Sequence, residues 1–353
     1  MVPALGELTT RYGLSNGVVH QEVQKLVASG VLRSVPRVGT FVVGQGGEED
    51  GQEQALVSNS IAVFSQDEGR FEAAHHQPGW SDQMTWGVLR QLRGARRHAI
   101  MIHHDFGSDD LQLLHAAPPR GIVVCALTGT RESLRHTVAD LAGCGAPLVV
   151  FGEEESGFDR VVSDHEAGAY QLARWLIGQG RRRILFLQPE NIDRLWLLHR
   201  YQGYARALSE DGLVVQAPLV YAIPELRWSA GRENADEAQA WARLLSHELK
   251  PHLRGAHGAD ALMVISDGDV SRVAQACRLC GKEPNGDVAL VGYDNYWRDS
   301  MELSPVPFAP LATVDKRNKE LGAALVQLLE QRLAGNLPRP AQTKVVAPQL
   351  VVI

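Results

Sequence analysis

Residues 261–295 read ALMVISDGDVSRVAQACRLCGKEPNGDVALVGYDN. An apolar run (Ala261–Ser266) is followed by a stretch of helical period (Val270–Cys280) and then by a second apolar run (Val288–Gly292). Short runs that are apolar at every position belong to strands covered on both faces, and two of them joined by a helix make a βαβ unit of a parallel sheet. The alternation continues outward. Upstream lie helix Asn234–Leu249, helix Leu195–Leu208, strand Ile184–Leu187 and helix Glu166–Gly178. Before them come strands Pro147–Phe151, Gly121–Ala126, Ala99–His103 and Ile61–Ser65, with helix Trp80–Gly94 between the first two in chain order. Downstream lie helix Arg317–Leu333 and an extended Val345–Ile353. So many units exceed one tidy sheet. The reading is α/β, with two doubly wound parallel-sheet lobes and a crevice between them where a ligand meets the carboxyl ends of the strands. The late helix and extended tail imply that the chain crosses back between the lobes.

The first 44 residues follow a different plan. Pro3–Tyr12 is a short helical segment ended by Gly13, and Ser15 or Asn16 caps a second helix to about Ser29 with Val19, Val23, Leu26 and Val27 as its buried stripe. Gly30 fits a helix C-terminus, and Val31–Arg33 and Thr40–Val43 form two β runs joined around Pro36 and Gly39. Helix, turn, helix and hairpin is the layout of a winged helix-turn-helix. The stretch GQGGEEDGQEQ (44–54) has almost nothing to bury and reads as a linker.

The chain has 353 residues, 44% hydrophobic and 22% charged, which excludes a mostly disordered protein. No apolar run is long enough for a membrane helix and the N-terminus has no secretory pattern. Four cysteines fit a reducing compartment, so the expectation is a cytoplasmic protein. The net charge of −6 is unevenly shared. Residues 1–44 carry Arg11, Lys25, Arg33 and Arg37 against Glu7 and Glu22, leaving this head basic and the body acidic.

The head resembles that of GntR-type bacterial regulators through Val2-Pro3, Glu7-Leu8, Gly13-Leu14-Ser15 and Arg37-Val38-Gly39-Thr40-Phe41-Val42. It departs at Ala4-Leu5-Gly6, where Ser-Glu-Arg is common, and at Asn16-Gly17-Val18, where Arg-Thr-Thr is common. It also begins almost at the motif, so the expectation is either a start that lies upstream or a head trimmed of its first helix. The body resembles the effector domain of LacI/GalR repressors. The resemblance runs through Val162–Gly168, Gly180–Ile184, Arg200-Tyr201-Gln202-Gly203-Tyr204, Val291-Gly292-Tyr293-Asp294-Asn295, Leu311–Val314 and Pro348–Val351. This combination is similar to arabinose-repressor-like regulators. The resemblance implies a winged helix-turn-helix at 1–44, a linker at 45–57 and a periplasmic-binding-protein-like type I effector domain at 58–353. Lobe 1 would take about 58–163 and 318–342, and lobe 2 about 164–315 and 343–353.

For DNA, the expected contacts are Ser15, Asn16 and His20 at the start of the reading helix, with Arg33 and Arg37 of the wing on phosphates. For the effector, Arg200 offers planar donors and Asp294 acceptors, on opposite sides of a hydroxylated ligand. By resemblance they are the family's effector-contacting Arg and Asp. Trp228 is the expected stacking aromatic. Ser65 and Gln66 after the first strand, Ser266 and Asp267 after Ile265, and Asp164 at the lobe junction complete the set. The bland readings are a solvated basic face for the arginines, a packing tryptophan and a helix-capping Asp164.

Other patterns weigh less. His75-His76 and His103-His104-Asp105 lack fixed ligand spacing, so no metal is expected. Cys277-x-x-Cys280 lies in a helix with no second pair, and no nucleotide loop or catalytic constellation stands out. No cofactor is expected. The sequence therefore reads as a non-enzymatic, ligand-responsive transcription regulator, a repressor. It would act as a homodimer on double-stranded operator DNA and sense a small carbohydrate effector. The alternatives are a small-molecule-binding protein with a vestigial head, or an enzyme on the same scaffold.

Overall fold

The computed structural model describes residues 8–9, 11, 13–29, 31–35, 39–42, 59–65, 79–102, 108–126, 131–153, 157–190, 194–221 and 235–353. The expected linker, Gln66, Trp228, Arg37 and the histidines at 75, 76, 103 and 104 lie outside these residues, as does the side chain of Arg33. The chain divides into two compact units, Met1–Asn59 and Ser60–Ile353.

In the first unit, helix α1 (Asn16–Ala28) starts at Ser15, whose side chain accepts the Val18 amide at 3.4 Å. Such a cap satisfies one of the amides that a helix start leaves unpaired. Strands β1 (Leu32–Val35) and β2 (Gly39–Val42) pair antiparallel, with Leu32 opposite Val42. The expected buried stripe on α1 is narrower than its apolar residues suggest. Val19 is buried but Leu26 is 40% exposed.

The second unit holds two six-stranded sheets. The first lobe runs β3 (Ser60–Ser65), α2 (Trp80–Gly94), β4 (His98–Ile102), α3 (Ser108–Ala116), β5 (Gly121–Ala126), α4 (Arg131–Gly143), β6 (Leu148–Phe151) and β7 (Asp159–Ser163). The second runs α5 (His165–Gly178), β8 (Ile184–Pro189), α6 (Leu195–Glu210), β9 (Leu219–Tyr221), α7 (Ala235–Leu253), β10 (Ala261–Met263), α8 (Asp267–Leu279), β11 (Ala289–Val291), α9 (Trp297–Leu303) and β12 (Ala312–Asp315). Helix α10 (Asn318–Leu333) returns to the first lobe, and β13 (Thr343–Val346) and β14 (Gln349–Val352) follow. The sheet orders are β13-β7-β6-β5-β3-β4 and β14-β12-β11-β10-β8-β9. All neighbours are parallel except β12 and β14.

Every residue of β3 is buried because alternate side chains enter different cores. Ile61 and Val63 pack with Met84, Val88 and Leu325, while Ala62 and Phe64 pack with Leu114, Val138 and Leu141. The second lobe repeats the device: Ile184 and Phe186 meet α5 and α6, and Leu185 and Leu187 meet α7 and α8. Helices α2 and α10 touch through glycine. A Cβ on Gly87 would lie 2.1 Å from the Lys319 carbonyl oxygen, and one on Gly322 would lie 2.0 Å from that of Met84.

The extended tail expected over 345–353 is two strands in two different sheets. β13 pairs with β7 of the first lobe and β14 with β12 of the second, so the last crossing falls after Val346 and not at 343. The chain passes between lobes three times: β7 to α5, β12 to α10, and β13 to β14. Among the described residues no helix is long and apolar enough to cross a membrane.

Candidate functional site

The carboxyl ends of the second lobe's central strands carry a buried charged group. Arg200 projects from α6 and is 3% exposed. Its Nε donates to His165 Nδ1 at 3.3 Å, its Nη1 to the Ile265 carbonyl, and its Nη2 to Asp294 Oδ1 at 3.2 Å. The guanidinium plane is held between two rings, 3.6 Å from the Tyr293 centroid and 4.4 Å from that of Trp196. Planar cations gain from such faces, and burial increases the gain.

Asp294 follows β11 with φ +94°, and Asn295 next to it has φ +54°. Left-handed backbone at two consecutive non-glycine residues is strained, and the surrounding bonds hold it there. The Asp294 amide donates to the Val314 carbonyl at 2.8 Å, and Asn295 Nδ2 donates to Asp315 Oδ2 at 3.1 Å. Arg200 and Asp294 were expected on opposite sides of a ligand. They bond each other directly, because α6 and the loop after β11 adjoin in one lobe.

A third member was not expected. Lys316, on the β12-to-α10 crossing, is buried and places Nζ 2.9 Å from Asp294 Oδ1. The same ammonium lies 4.1 Å from the ring centroid of Trp80, the first residue of α2 in the first lobe. Trp80 in turn packs on Phe151 at 6.1 Å. Burial pushes the Lys316 ammonium down from its usual range, against the pull of Asp294. His165 is held well below the usual histidine range, first by burial and then by the positive Arg200 and Lys316, with His199 nearby. Its Nδ1 accepts from Arg200, as the neutral ring does.

The other expected effector residues have built-in partners. Asp267 is buried at the start of α8, where its carboxylate meets the Thr313 hydroxyl at 2.9 Å and accepts the Tyr296 amide at 3.0 Å. Burial pushes its acid well above the carboxylate range. Ser266 caps α8 and shares a 2.6 Å bond with the Tyr296 hydroxyl. Asp164 caps α5 by accepting the Ala167 amide at 2.9 Å, and it stands on the first crossing. Ser65 ends β3 with its hydroxyl 3.2 Å from that of Thr85. A second contact spans the lobes, between His199 Nδ1 of α6 and Glu153 Oε2 after β6, at 2.7 Å. Two buried polar atoms at the crossings, Ser163 Oγ and Asn318 Oδ1, have no partner among the described residues.

On α1, Asn16 and His20 are exposed, as a reading helix requires, while Ser15 is its cap. Among the described residues no group of three or more His, Cys, Asp or Glu is arranged to hold a metal. Cys277 is buried in α8 and its thiol is pushed up to about 12 by burial, so it packs as an apolar side chain.

The model of the periplasmic binding protein-like domain family matches residues 173–352. The HTH-type transcriptional repressor PurR of Aliivibrio salmonicida is 24% identical over 189 residues, which are 53% of this chain and 50% of the relative. The chain spans about half the length of the first curated relatives it matches. A solved complex of the transcriptional regulator CelR with cellobiose covers 99% of both chains, with a TM-score of 0.61 and 20% identity. A regulatory protein of the LacI family from Chloroflexus aggregans covers 84% of this chain and 97% of its own, with a TM-score of 0.60 and 21% identity. At these identities the likeness to solved structures is one of fold.

Proposed function

This chain belongs to the periplasmic-binding-protein-like domain family, and on that footing we propose that it is a ligand-responsive, DNA-binding transcription regulator of the LacI type, a repressor, whose effector is a sugar or sugar derivative held between the two lobes. The observation that carries the proposal is the Arg200–Asp294–Lys316 group, buried at the strand ends of one lobe and facing Trp80 of the other. Fixed donors beside an aromatic face are what a polyhydroxylated ring needs: hydrogen bonds at its edge and an apolar cover. The regulators named among the relatives, and the cellobiose held by CelR, support the same reading. For the head, α1 followed by the β1–β2 hairpin supports a winged, GntR-type reader over a head without a hairpin.

Lys316 stands on a crossing segment, so rotation of the lobes changes its distance to Trp80 or to Asp294. A ligand that touches both lobes favours the closed arrangement, by as much as its affinities for the two arrangements differ. In a homodimer, closure alters the spacing of two heads on a palindromic operator. The reading is tested by a thermal-shift screen against monosaccharides, disaccharides, sugar acids and polyols, followed by operator binding with and without the hit. A ligand at 100 times its dissociation constant stabilises by about 2.7 kcal/mol. A hit that also changes operator affinity supports the reading. A hit that leaves operator affinity unchanged leaves a binding protein without a regulatory head.

A further inference from the structure

Arg200 and Lys316 are both buried cations, and both are bonded to the same atom, Asp294 Oδ1. The neighbouring acids keep their charges but turn their oxygens to other groups. Asp267 turns toward Thr313 and the Tyr296 amide, and Asp164 toward the first turn of α5. Asp315 accepts from the Arg317 amide at 2.6 Å and from Asn295, and Glu153 faces His199. His165 and Tyr293, the other titratable groups against Arg200, contribute no negative charge. Among the described residues Asp294 is thus the one carboxylate bonded to either cation, one oxygen serving two positive charges, with Asp315 acting on Lys316 through space. A buried ion that shares its counter-charge is costly, and a binding site holds such a cost when its ligand repays it.

The donors left over point the same way. Three of the five Arg200 N–H groups are spent, on His165, Ile265 and Asp294, and both of its faces are covered. Lys316 gives one N–H to Asp294 and presents its charge to the Trp80 ring, which leaves a free direction on the ammonium. An anionic oxygen placed there would complete the pairing of Lys316.

Resting on the reading of the crevice as an effector site, we propose that Lys316 makes this crevice selective for an anionic effector: a small hydroxylated molecule carrying a carboxylate or phosphate, seated against Lys316 and Arg200. A sugar acid and a sugar phosphate share this chemistry, and a neutral sugar lacks it. Lys316 is then the residue that sets ligand class, while Asp294 holds the two cations in place.

The test uses the full chain and Lys316→Met, which keeps the length of the side chain and removes its charge. The first arm needs no sugar: melting temperatures of both proteins in inorganic phosphate and in chloride at equal ionic strength. The second arm titrates glucose against glucuronate and glucose 6-phosphate, and galactose against galacturonate, by calorimetry. Expected are a higher melting temperature for ligand-free Lys316→Met, a phosphate-dependent rise confined to the wild type, and about tenfold to hundredfold tighter binding of an acidic sugar than of its neutral partner, lost in Lys316→Met and kept in Lys316→Arg. A Lys316→Met protein that melts lower and responds to phosphate as the wild type does would overturn the proposal, since Lys316 would then be a structural partner of Asp294. Neutral sugars binding as well as their acids would overturn it while leaving the effector-site reading intact. A phosphate response confined to the wild type, with no sugar bound, would keep the anion site and remove the carbohydrate reading. Phosphate binding to each protein at adventitious strength only counts against the site.

Discussion

The two lobes share a plan of six strands with helices on both faces, yet they use buried charge in opposite ways. In the first lobe the buried Asp159 is paid off at once. Arg332 of α10 holds it with two bonds, at 2.6 and 2.7 Å, and the Gln342 amide adds a third at 2.7 Å. Burial acts to raise the Asp159 acid, but Arg332 and the amide outweigh it and the net shift is downward. In the second lobe Asp294 faces two cations and satisfies neither fully. The first arrangement ties a helix to a strand and ends there. The second sets two cations on one carboxylate oxygen of a residue with strained backbone, and the proposed effector site rests on that arrangement.

The largest effect expected from this contrast follows Asp294→Ala. Removing the carboxylate leaves Arg200 and Lys316 buried without the counter-ion they share, and destabilisation of about 3–5 kcal/mol is expected in urea unfolding. Asp294→Asn keeps the shape and one acceptor. It is expected to abolish the response to effector while operator binding persists. Loss of both together would break the division between a sensing body and a reading head.

Backbone contact is the next lever, and here the lobes should behave alike. A Cβ at Gly322 would fall 2.0 Å from the Met84 carbonyl oxygen, and one at Gly203 of α6 would fall 2.1 Å from that of Glu166. Neither neighbour is a flexible side-chain end, so the helices must part. Gly322→Ala and Gly203→Ala should each cost about 3 kcal/mol. Calorimetry that shows one lobe's variant splitting the transition in two would mean that the lobes melt separately.

How far these features are legible in the sequence differs between lobes for a physical reason. Runs such as Ile61–Ser65 and Gly121–Ala126 declare their strands because both faces of each sheet are covered, so no polar residue interrupts them. Leu219–Tyr221 and Ala312–Asp315 escaped as strands because three or four residues are too few to show a period. The tail was seen as extended, but nothing in its composition tells that β13 and β14 belong to different sheets. At the site, Arg200 and Asp294 were identified through resemblance. Lys316 was missed because Asp315-Lys316-Arg317 looks like any solvated charge run. Only the topology, which threads it between the lobes, buries it. Trp80 was visible as a helix start and not as a ring facing a cation.

Arg332→Met sharpens the contrast from the first lobe's side. It leaves the buried Asp159 with the Gln342 amide as its remaining partner among the described residues, and a loss of about 1–3 kcal/mol is expected with no change in effector affinity. Because Arg332 and the Gln342 amide stabilise the ionised Asp159, the contribution is present at neutral pH and disappears as the pH falls below the ordinary carboxylate value of 3.8. A changed effector affinity in this variant would show that the first lobe's ion pair is coupled to the crevice after all.

The smallest effect concerns His165, which is buried under Arg200 and kept neutral. As the pH falls below the usual histidine value of 6.5, the unfolded chain takes up a proton that the folded chain refuses. Stability from this group is therefore complete above 6.5 and declines with acidification, by at most about 1.4 kcal/mol for each pH unit. Asp267 acts in the opposite sense. Its raised acid binds a proton in the folded state first, so its contribution grows with acidification until the pH nears 3.8. The two partly cancel in the wild type, and the variant His165→Asn separates them. Asparagine can still accept from Arg200 and does not titrate, so the slope of stability against pH below 6.5 should fall by up to one proton. An unchanged slope would mean that His165 is protonated in the folded protein, and with a third cation beside Arg200 and Lys316 the demand of this lobe for a negative ligand would be larger still.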